Sequence, residues 1–466
     1  MYYVLRAHDV HNAARKPHHH TVELRDLIVT PIIIFMVYAL AYLIRPWVTD
    51  DVNRKYFFPS LTMRIFCAIA VGVLYQFYYE GGDTFAYHTH GSRPLWEAIM
   101  ESPAEGLRLL FLNGEYGPGI WKTANRIWYW NDPQAFFIIR LAAVFDLFTF
   151  SSYSGTAVLF AVIAFMGGWM FFLTFYKLYP EMHRWIALSV LFFPSVVFWG
   201  SGIFKDTITL AALGVATYTF HRIFLERKVR LSSIAVMLFS FWVIFSIKKY
   251  ILLCFLPAIL LWWVARNLSR ISSLMLRMMI APLAGMIAIF FAYYAVLKVG
   301  EDDPRYNLSK LAETAKITAY DIRYGWGARN GEGSGYTLGE LDGSWQSMMK
   351  LAPEAINISL FRPYLWEVGN PLMLFSAIEG LMLLALTLHL VWRTRWKLLN
   401  YITKPDILFC LFFAMGFAFA VGVSSFNFGT LSRYKIPMMP YFLLALGMIH
   451  AYWKSDRNVD VLDSTE

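Results

Sequence analysis

The chain has 466 residues, of which 58% are hydrophobic and 16% charged, and its formal net charge is +9. A soluble globular protein usually has about 25% charged residues, so this composition excludes an ordinary soluble domain and indicates a polytopic membrane protein. The basic residues cluster in short connections between apolar runs, which is the usual cytoplasmic-side bias and not the pattern of a nucleic-acid-binding surface.

The apolar runs determine the predicted fold. About 20 apolar residues cross a bilayer, and separate runs of this kind satisfy their backbone hydrogen bonds only as helices. We therefore predict an all-α polytopic membrane protein with about 11 transmembrane helices. The runs are 27–44, 60–79, 154–176, 185–199, 203–222, 232–249, 250–266, 273–298, 369–393, 406–424 and 434–453.

Two long connections divide the chain into parts. The predicted parts are a polar N-terminal tail (1–26), a transmembrane core (27–298) that includes an outer loop (79–153), a large outer loop (299–368), C-terminal transmembrane helices (369–453) and a C-terminal tail (454–466).

Charges in the short connections orient the helices. The connections 222–230 and 393–404 are rich in Lys and Arg, which places them on the cytoplasmic side. Alternation of the helices then brings a common set of segments to the outer side. These segments are 79–153, 201–206, 248–250, 299–368 and 424–434.

The first outer loop contains four tryptophans and an apolar stretch, 135–150, that is interrupted by Arg140 and Asp146. Aromatic residues are typical of amphipathic helices at headgroup depth, so we expect interfacial helices in this loop. The alternative is that 135–150 crosses the membrane, which would invert the orientation of the chain before it.

Two carboxylates follow the second apolar run, in the sequence Glu80-Gly81-Gly82-Asp83. The glycines free the backbone, so Asp83 need not continue the preceding helix. A carboxylate at the end of a membrane helix is well placed for chemistry at the lipid–water boundary. The alternative is an ordinary turn at the exit from the membrane.

A second pair of ionised residues, Lys205 and Asp206, begins the helix after an outer turn. Ionised groups inside a membrane are costly and mark functional sites by default. The alternative is an ion pair between these two neighbours that merely eases their burial.

Basic residues are normally scarce on the outer side, yet Lys248, Lys249 and Arg433 all lie at outer turns. Anion binding is one explanation, and extension of the side chains toward lipid headgroups is the other. With Lys205, these three cations form the candidate set for binding the phosphate of a lipid-linked donor.

The outer turns thus combine carboxylates with cations, as a lipid-linked sugar phosphate requires. Cations neutralise the phosphate, and a carboxylate takes the proton from an acceptor hydroxyl or amine. A second carboxylate positions the acceptor or helps to hold a divalent metal, Mg²⁺ or Mn²⁺, between Asp83 and Asp206. The candidates for contacts to sugar or acceptor are Tyr87, His88, Arg362 and Trp366. For His88, the alternative is a solvated loop histidine.

This layout resembles the GT-C superfamily of polyprenyl-phosphate-sugar-dependent glycosyltransferases, especially its protein mannosyltransferase and lipid A aminoarabinose transferase branch. In that family an acidic residue opens the first large outer loop, interfacial helices follow, and a second acid lies near the next outer turn. The resemblance implies that Asp83, with Glu80 as the alternate, is the catalytic base and that Asp206 is the second acid. It implies that Lys205 and Arg433 bind the donor phosphate.

The resemblance also implies the surroundings of the reaction. The expected location is a bacterial inner membrane with the active site on the periplasmic side. The expected partners are a lipid-linked sugar donor, a glycan, lipid or protein acceptor, and membrane lipids, but no nucleic acid.

Two other functions remain open at this point. An O-antigen-type polymerase or ligase also uses lipid-linked sugars, but it relies mainly on arginines and a histidine in large outer loops; the corresponding candidates here are Arg305, Arg323, Arg329 and Arg362. A lipid or glycan transporter would need polar residues at mid-membrane and paired repeats, and the sequence has few of the former and none of the latter.

Overall fold

A computed structural model describes residues 23–112, 114–117, 119–271, 294, 317, 335, 336, 338 and 345–463. In these parts of the chain the regular elements are all helices, and an isolated bridge joins Gly335 to Asn427. Nearly all of the predicted run 273–298, most of the loop 299–368 and nearly all of the N-terminal tail lie outside the described residues. So do Arg305, Arg323 and Arg329.

The helices are numbered in chain order. The first group is α1 (Leu24–Val48), α2 (Arg54–Phe77), α3 (Asp83–Tyr87), α4 (Arg93–Glu101), α5 (Pro103–Phe111), α6 (Trp121–Ala124), α7 (Pro133–Thr149) and α8 (Tyr153–Leu178). The second group is α9 (His183–Ala187), α10 (Pro194–Trp199), α11 (Lys205–Phe220), α12 (Leu231–Ile247) and α13 (Lys249–Ser269). The third group is α14 (Trp345–Lys350), α15 (Ala352–Phe361), α16 (Pro371–Thr394), α17 (Lys397–Ile402), α18 (Pro405–Ser425), α19 (Phe428–Tyr434) and α20 (Met439–Asp463).

Seven helices in the described residues are long and apolar enough to cross a membrane, and there are up to eight if α19 and α20 form one span bent by 67°. The prediction of an all-helical membrane protein is therefore confirmed, whereas the count of 11 is not. Helix α12 has 17 residues and is a shorter apolar helix.

The predicted run 185–199 is not one continuous helix. A π-helical turn, Leu188–Phe192, follows α9, and a new helix then begins at Pro194. Proline has no backbone N–H and forces the residue before it into an extended conformation. Phe193 accordingly has φ −67° and ψ 125°, and Pro194 occupies the first position of α10.

The first outer loop folds into several short helices, α3 to α6, followed by the longer α7. Asp146, which interrupts the apolar stretch of α7, is fully buried and accepts hydrogen bonds from Ser92 and Thr156, both at 2.7 Å. The charged residue in this stretch therefore ties α7 to the rest of the loop and to α8.

Helices α8 and α11 pack with their backbones in contact. A Cβ atom at Gly167 would lie 2.4 Å from the Cα of Ala211, and one at Gly214 would lie 2.3 Å from the carbonyl oxygen of Gly167. Small residues allow such close approach of membrane helices. This contact fixes the helix whose first turn carries Lys205 and Asp206.

A buried arginine fixes the turn before α11. The Nη1 of Arg64, in α2, donates hydrogen bonds to the carbonyl oxygens of Val196 at 3.1 Å and Gly200 at 2.8 Å. These carbonyls lie at the end of α10, where a cation also interacts favourably with the helix dipole.

Candidate functional site

Arg433, in the last turn of α19, lies between two carboxylates that are distant in the sequence. Its Nη1 donates to Oδ2 of Asp83 at 2.9 Å, and its Nη2 donates to Oδ2 of Asp206 at 3.4 Å. The Nη1 also donates to the hydroxyl of Tyr75 at 3.1 Å, and the guanidinium lies 4.4 Å from the ring centroid of Phe204. The structure therefore brings the two predicted acids to the same cation.

Asp206 is enclosed and has a second cationic partner. Its side chain is 1% exposed, and its Oδ1 accepts a hydrogen bond from Nζ of Lys248. Lys248 in turn lies 4.3 Å from the ring centroid of Tyr434. Asp206 is in the first turn of α11, where a negative charge interacts favourably with the helix dipole. We call Asp83, Asp206, Lys248 and Arg433 the Arg433 network.

Asp83 is held in a more open setting than Asp206. It begins α3 after a turn in which Glu80, Gly81 and Gly82 have φ values of 52°, 140° and 113°. Glycine adopts such positive angles readily, and after this turn the carboxylate of Asp83 faces Arg433. Glu80 is exposed and forms no ion pair among the described residues, so the geometry favours Asp83 over Glu80.

The alternative interpretation, an ion pair between the neighbours Lys205 and Asp206, is wrong. Nζ of Lys205 lies 3.4 Å from Oδ2 of Asp132, whose Oδ1 caps the start of α7. Lys205 therefore joins α11 to the first outer loop, whereas Asp206 pairs with Lys248 and Arg433.

A cavity of about 330 Å³ lies beside Arg433. Its walls include the tyrosines at the end of α2, Trp199, the start of α16 and the segment from Asn427 to Arg433. The lining thus combines aromatic rings and polar side chains with one guanidinium. Ligand pockets usually measure roughly 300–1,000 Å³, so this cavity is at the small end of that range.

Asp83 affects the pKa of two tyrosines, the buried Tyr87 and the partly exposed Tyr129. Burial, and then the nearby Asp83 carboxylate, hold the pKa of Tyr87 well above its usual value. The same two causes raise the pKa of Tyr129 to about 12. Their rings lie 5.7 Å apart between centroids. Both hydroxyls therefore stay protonated at neutral pH beside the site.

The structure does not bring four other predicted residues into the network: Lys249, His88, Arg362 and Trp366. Nζ of Lys249 lies 4.7 Å from the ring centroid of Phe245. His88 is fully buried, and its Nε2 lies 3.2 Å from Oδ1 of Asp146, so it is not the solvated loop histidine that was the alternative.

Arg362 and Trp366 are not part of the network. The Nε of Arg362 donates to both oxygens of Glu367, at 3.1 and 3.0 Å, and its Nη1 contacts Glu354 at 3.2 Å. The guanidinium lies 5.5 Å from the ring centroid of Phe428, a wall of the cavity. Trp366 is 82% exposed and stacks on Tyr364.

The Arg433 network does not fit a divalent metal in this arrangement. Asp83 and Asp206 both face the guanidinium of Arg433, whose positive charge takes the place that a metal ion would need. Within the described residues there is no group of three or more His, Cys, Asp and Glu side chains able to hold a metal ion.

Sequence reasoning missed three residues that shape the site. Tyr75 contacts Arg433, Asp132 holds Lys205, and Arg64 secures the turn before α11. An arginine inside an apolar run is a clear signal for a functional or structural contact, so Arg64 was detectable. The combination of Asp132 with Pro133 was a detectable start of a helix, but its second partner, Lys205, was not.

Comparisons with known proteins do not assign this chain to a family, since no protein-family model, no curated protein and no solved structure matches it.

Proposed function

We propose that this protein is an integral-membrane glycosyltransferase of the GT-C type. It moves a sugar from a polyprenyl-phosphate-linked donor to a glycan, lipid or protein acceptor at the outer face of the membrane, which in a bacterium is the periplasmic side of the inner membrane. The observation that carries the proposal is the pairing of Asp83 and Asp206 with Arg433, whose side chain lines the cavity.

The proposed reaction is a direct displacement at the anomeric carbon. Asp83 accepts the proton of the acceptor hydroxyl or amine, and the acceptor oxygen or nitrogen forms a bond to the anomeric carbon. The bond between that carbon and the phosphate oxygen breaks, and the polyprenyl phosphate leaves as an anion. General-base catalysis typically contributes about 10²- to 10⁴-fold to a rate.

Arg433 stabilises the charge that develops on the leaving phosphate, because guanidinium groups bind phosphate through two N–H donors in a fork. Asp206 accepts a hydrogen bond from Arg433 and is itself held by Lys248, and these contacts keep Arg433 in position. Lys205 contributes positive charge nearby but is engaged by Asp132. No metal ion takes part in this scheme, since the carboxylates enclose a guanidinium instead.

The test is sugar transfer by the purified protein in detergent. A panel of labelled polyprenyl-phosphate monosaccharides is supplied as donors, with a membrane extract as the source of acceptors. The Asp83→Asn variant is expected to lose at least about 100-fold in rate, because a positioned base is removed, while its thermal unfolding stays close to that of the unmodified protein. Asp83 is half-exposed, so this substitution leaves no enclosed charge unpaired.

A matched variant separates the two acids of the turn. Glu80→Gln removes the same charge three residues earlier and leaves transfer active if Asp83 is the base. Full activity of Asp83→Asn would remove Asp83 from the catalytic role, and failure of every donor would remove the glycosyltransferase proposal. Transfer in detergent also distinguishes an enzyme from a transporter, because detergent abolishes vectorial transport.

The alternative of an arginine-dependent polymerase or ligase makes the opposite prediction. Loss of transfer on substitution of Arg362, with Asp83 dispensable, would favour it. Arg362 pairs with Glu354 and Glu367 and, unlike Arg433, is not among the residues that line the cavity.

A further inference from the structure

The two carboxylates that share Arg433 are held with different strength. Asp206 is 1% exposed and has both Lys248 and Arg433 as partners. Asp83 is 40% exposed, and among the described residues Arg433 is the one cation that pairs with it. Exposed ion pairs are weak, whereas separating a buried carboxylate from its cations is costly. Asp83 is therefore the carboxylate that separates more easily from Arg433.

The backbone around Asp83 allows the side chain to move without unfolding its helix. Gly81, at φ 140°, has open space around it, since a Cβ atom there would meet nothing within 4 Å. The next residue after Asp83 is anchored, because the Thr84 hydroxyl lies 2.7 Å from that of Tyr153. Rotation of the Asp83 side chain and a change in the glycine turn are sufficient to break the contact with Arg433.

Three of the five N–H groups of Arg433 donate hydrogen bonds in the structure described. Its Nη1 donates to Asp83 and Tyr75, and its Nη2 donates to Asp206. Its Nε is buried and has no hydrogen-bond partner among the described residues. A phosphate binds an arginine best through two parallel N–H groups. Since Nε is buried, the parallel pair open to a phosphate is formed by Nη1 and Nη2, and one of the two carboxylates must separate from it.

The charges of the Arg433 network lead to the same conclusion. Asp83 and Asp206 contribute two negative charges, which balance the two positive charges of Lys248 and Arg433. A phosphate added to this neutral group would lie against two carboxylates with no excess cation. Departure of Asp83 removes one of these repulsions and leaves a cation for the phosphate.

We infer that Asp83 and a phosphate group in the cavity compete for Arg433, so that binding of the phosphate releases Asp83 from its ion pair. The inference rests on the proposed function for the identity of the anion and for the role of the released carboxylate. Release of Asp83 by the phosphate makes the catalytic base available only when a donor is bound. Asp206 and Lys248 remain in place and hold Arg433 during the exchange.

The competition is tested by phosphate binding to the purified full chain, with no sugar transfer required. The probes are inorganic phosphate and farnesyl phosphate, and calorimetry measures their affinity for the protein in detergent. Removal of the competitor is expected to tighten binding: Asp83→Asn by about threefold and Asp83→Ala by about tenfold. The alanine variant has the larger effect because asparagine can still accept a hydrogen bond from Arg433.

Glu80→Gln is the matched control, since it removes one negative charge from the same turn without touching Arg433. It is expected to change the affinity by less than twofold. Thermal unfolding of each variant establishes that it is folded before binding is measured. Affinity that is unchanged or weaker in both Asp83 variants would overturn the competition, as would equal tightening in Glu80→Gln.

The two probes and the transfer assay keep the proposals separate. Tightening for both probes indicates a site that recognises the phosphate alone, whereas tightening for farnesyl phosphate only indicates that the lipid-linked form is required. Tighter binding in Asp83→Ala together with no transfer by the unmodified protein would support the competition and contradict the glycosyltransferase. Asp83-dependent transfer, without tighter phosphate binding in the Asp83 variants, would support the glycosyltransferase and contradict the competition.

Discussion

Two arginine–aspartate contacts lie at opposite ends of the same pair of helices, and they are built differently. Helices α13 and α18 have 21 residues each, so the contacts are about 30 Å apart along them. One is the Arg433 network, next to the start of α13 and the end of α18. The other joins Arg266, near the end of α13, to Asp406, in the first turn of α18.

Each carboxylate oxygen of Asp406 accepts two hydrogen bonds. Its Oδ1 accepts from Nε1 of Trp262 at 2.6 Å and from Nε of Arg266 at 2.8 Å. Its Oδ2 accepts from Nη2 of Arg266 and from the hydroxyl of Tyr179 at 2.5 Å. Four donors thus meet the two oxygens of one buried carboxylate, which is the arrangement of a structural contact that joins helices.

The Arg433 network is instead shared and incompletely satisfied. One guanidinium serves two carboxylates, its Nε lacks a hydrogen-bond partner in the described part of the chain, and it lies at a cavity. The comparison teaches that the presence of an arginine–aspartate pair in a membrane protein does not identify a site. Remaining hydrogen-bonding capacity beside an open volume is the feature that distinguishes a binding site from a structural contact.

The largest expected difference separates Arg433→Gln from Arg266→Gln. Loss of Arg433 is expected to reduce sugar transfer by at least about 100-fold, as removal of a charge-stabilising donor does, with modest loss of stability because Asp206 keeps Lys248. Loss of Arg266 is expected to destabilise the protein by about 3 kcal/mol, because Asp406 stays buried without its cation, and to leave the transfer rate per folded molecule unchanged.

Transfer rates and thermal unfolding in detergent, measured on both variants, check this contrast. A variant at Arg433 that transfers sugar normally would remove the distinction between the two contacts. A variant at Arg266 that is fully stable but inactive in sugar transfer would also remove this distinction.

A smaller effect is expected from two neighbouring lysines. Lys248→Met removes the second partner of Asp206 and is expected to lower transfer about tenfold to 100-fold through misplacement of Arg433. Lys249→Met removes a lysine that stacks on Phe245 and is expected to change the rate by less than about twofold. Initial rates at several donor concentrations, with thermal unfolding alongside, measure both. Equal losses in the two variants would mean that the network does not depend on the contact between Lys248 and Asp206.

The smallest effect concerns a third arginine–carboxylate contact, between Arg362 and Glu367. Burial alone would raise the pKa of Glu367, but hydrogen bonds from Arg362 and the Tyr364 amide, with the charge of Arg362, lower it below its usual value. A carboxyl group with a lowered pKa contributes stability above its unfolded pKa of about 4.3 and loses that contribution as the pH falls through the folded value.

We therefore expect the unfolding temperature of the unmodified protein to fall slightly more than that of Glu367→Gln between pH 6 and pH 3. Thermal unfolding at a series of pH values compares the two proteins. Parallel curves would show that this contact contributes nothing measurable, as many surface ion pairs do.

The sequence was sufficient to predict the long apolar helices of the described residues and the meeting of Asp83, Asp206 and Arg433. Hydropathy marks each long helix, and the alternation of basic connections brings the ends of those helices to a common side. Glu80 and Asp83 could not be separated from the pattern alone, because their difference depends on the three positive φ angles of one turn.

The sequence did not predict which side chains from distant parts of the chain pair with each other. Lys205 has Asp206 as its neighbour but pairs with Asp132, and His88 is buried against Asp146 and not solvated. Such pairings depend on how α7 and α11 pack, which hydropathy does not encode. The run 185–199 was predicted as one apolar segment but is divided at Pro194, because mean hydropathy does not distinguish one helix from two short ones.

The contact between Gly167 of α8 and Ala211 and Gly214 of α11 has a consequence for how the protein meets bilayers of different thickness. Membrane helices adapt to a mismatch in thickness mainly by tilting. Since these two backbones touch, α8 and α11 tilt as one unit and do not slide past each other. The depth of Asp206 relative to α8 is thereby the same in a thin membrane as in a thick one.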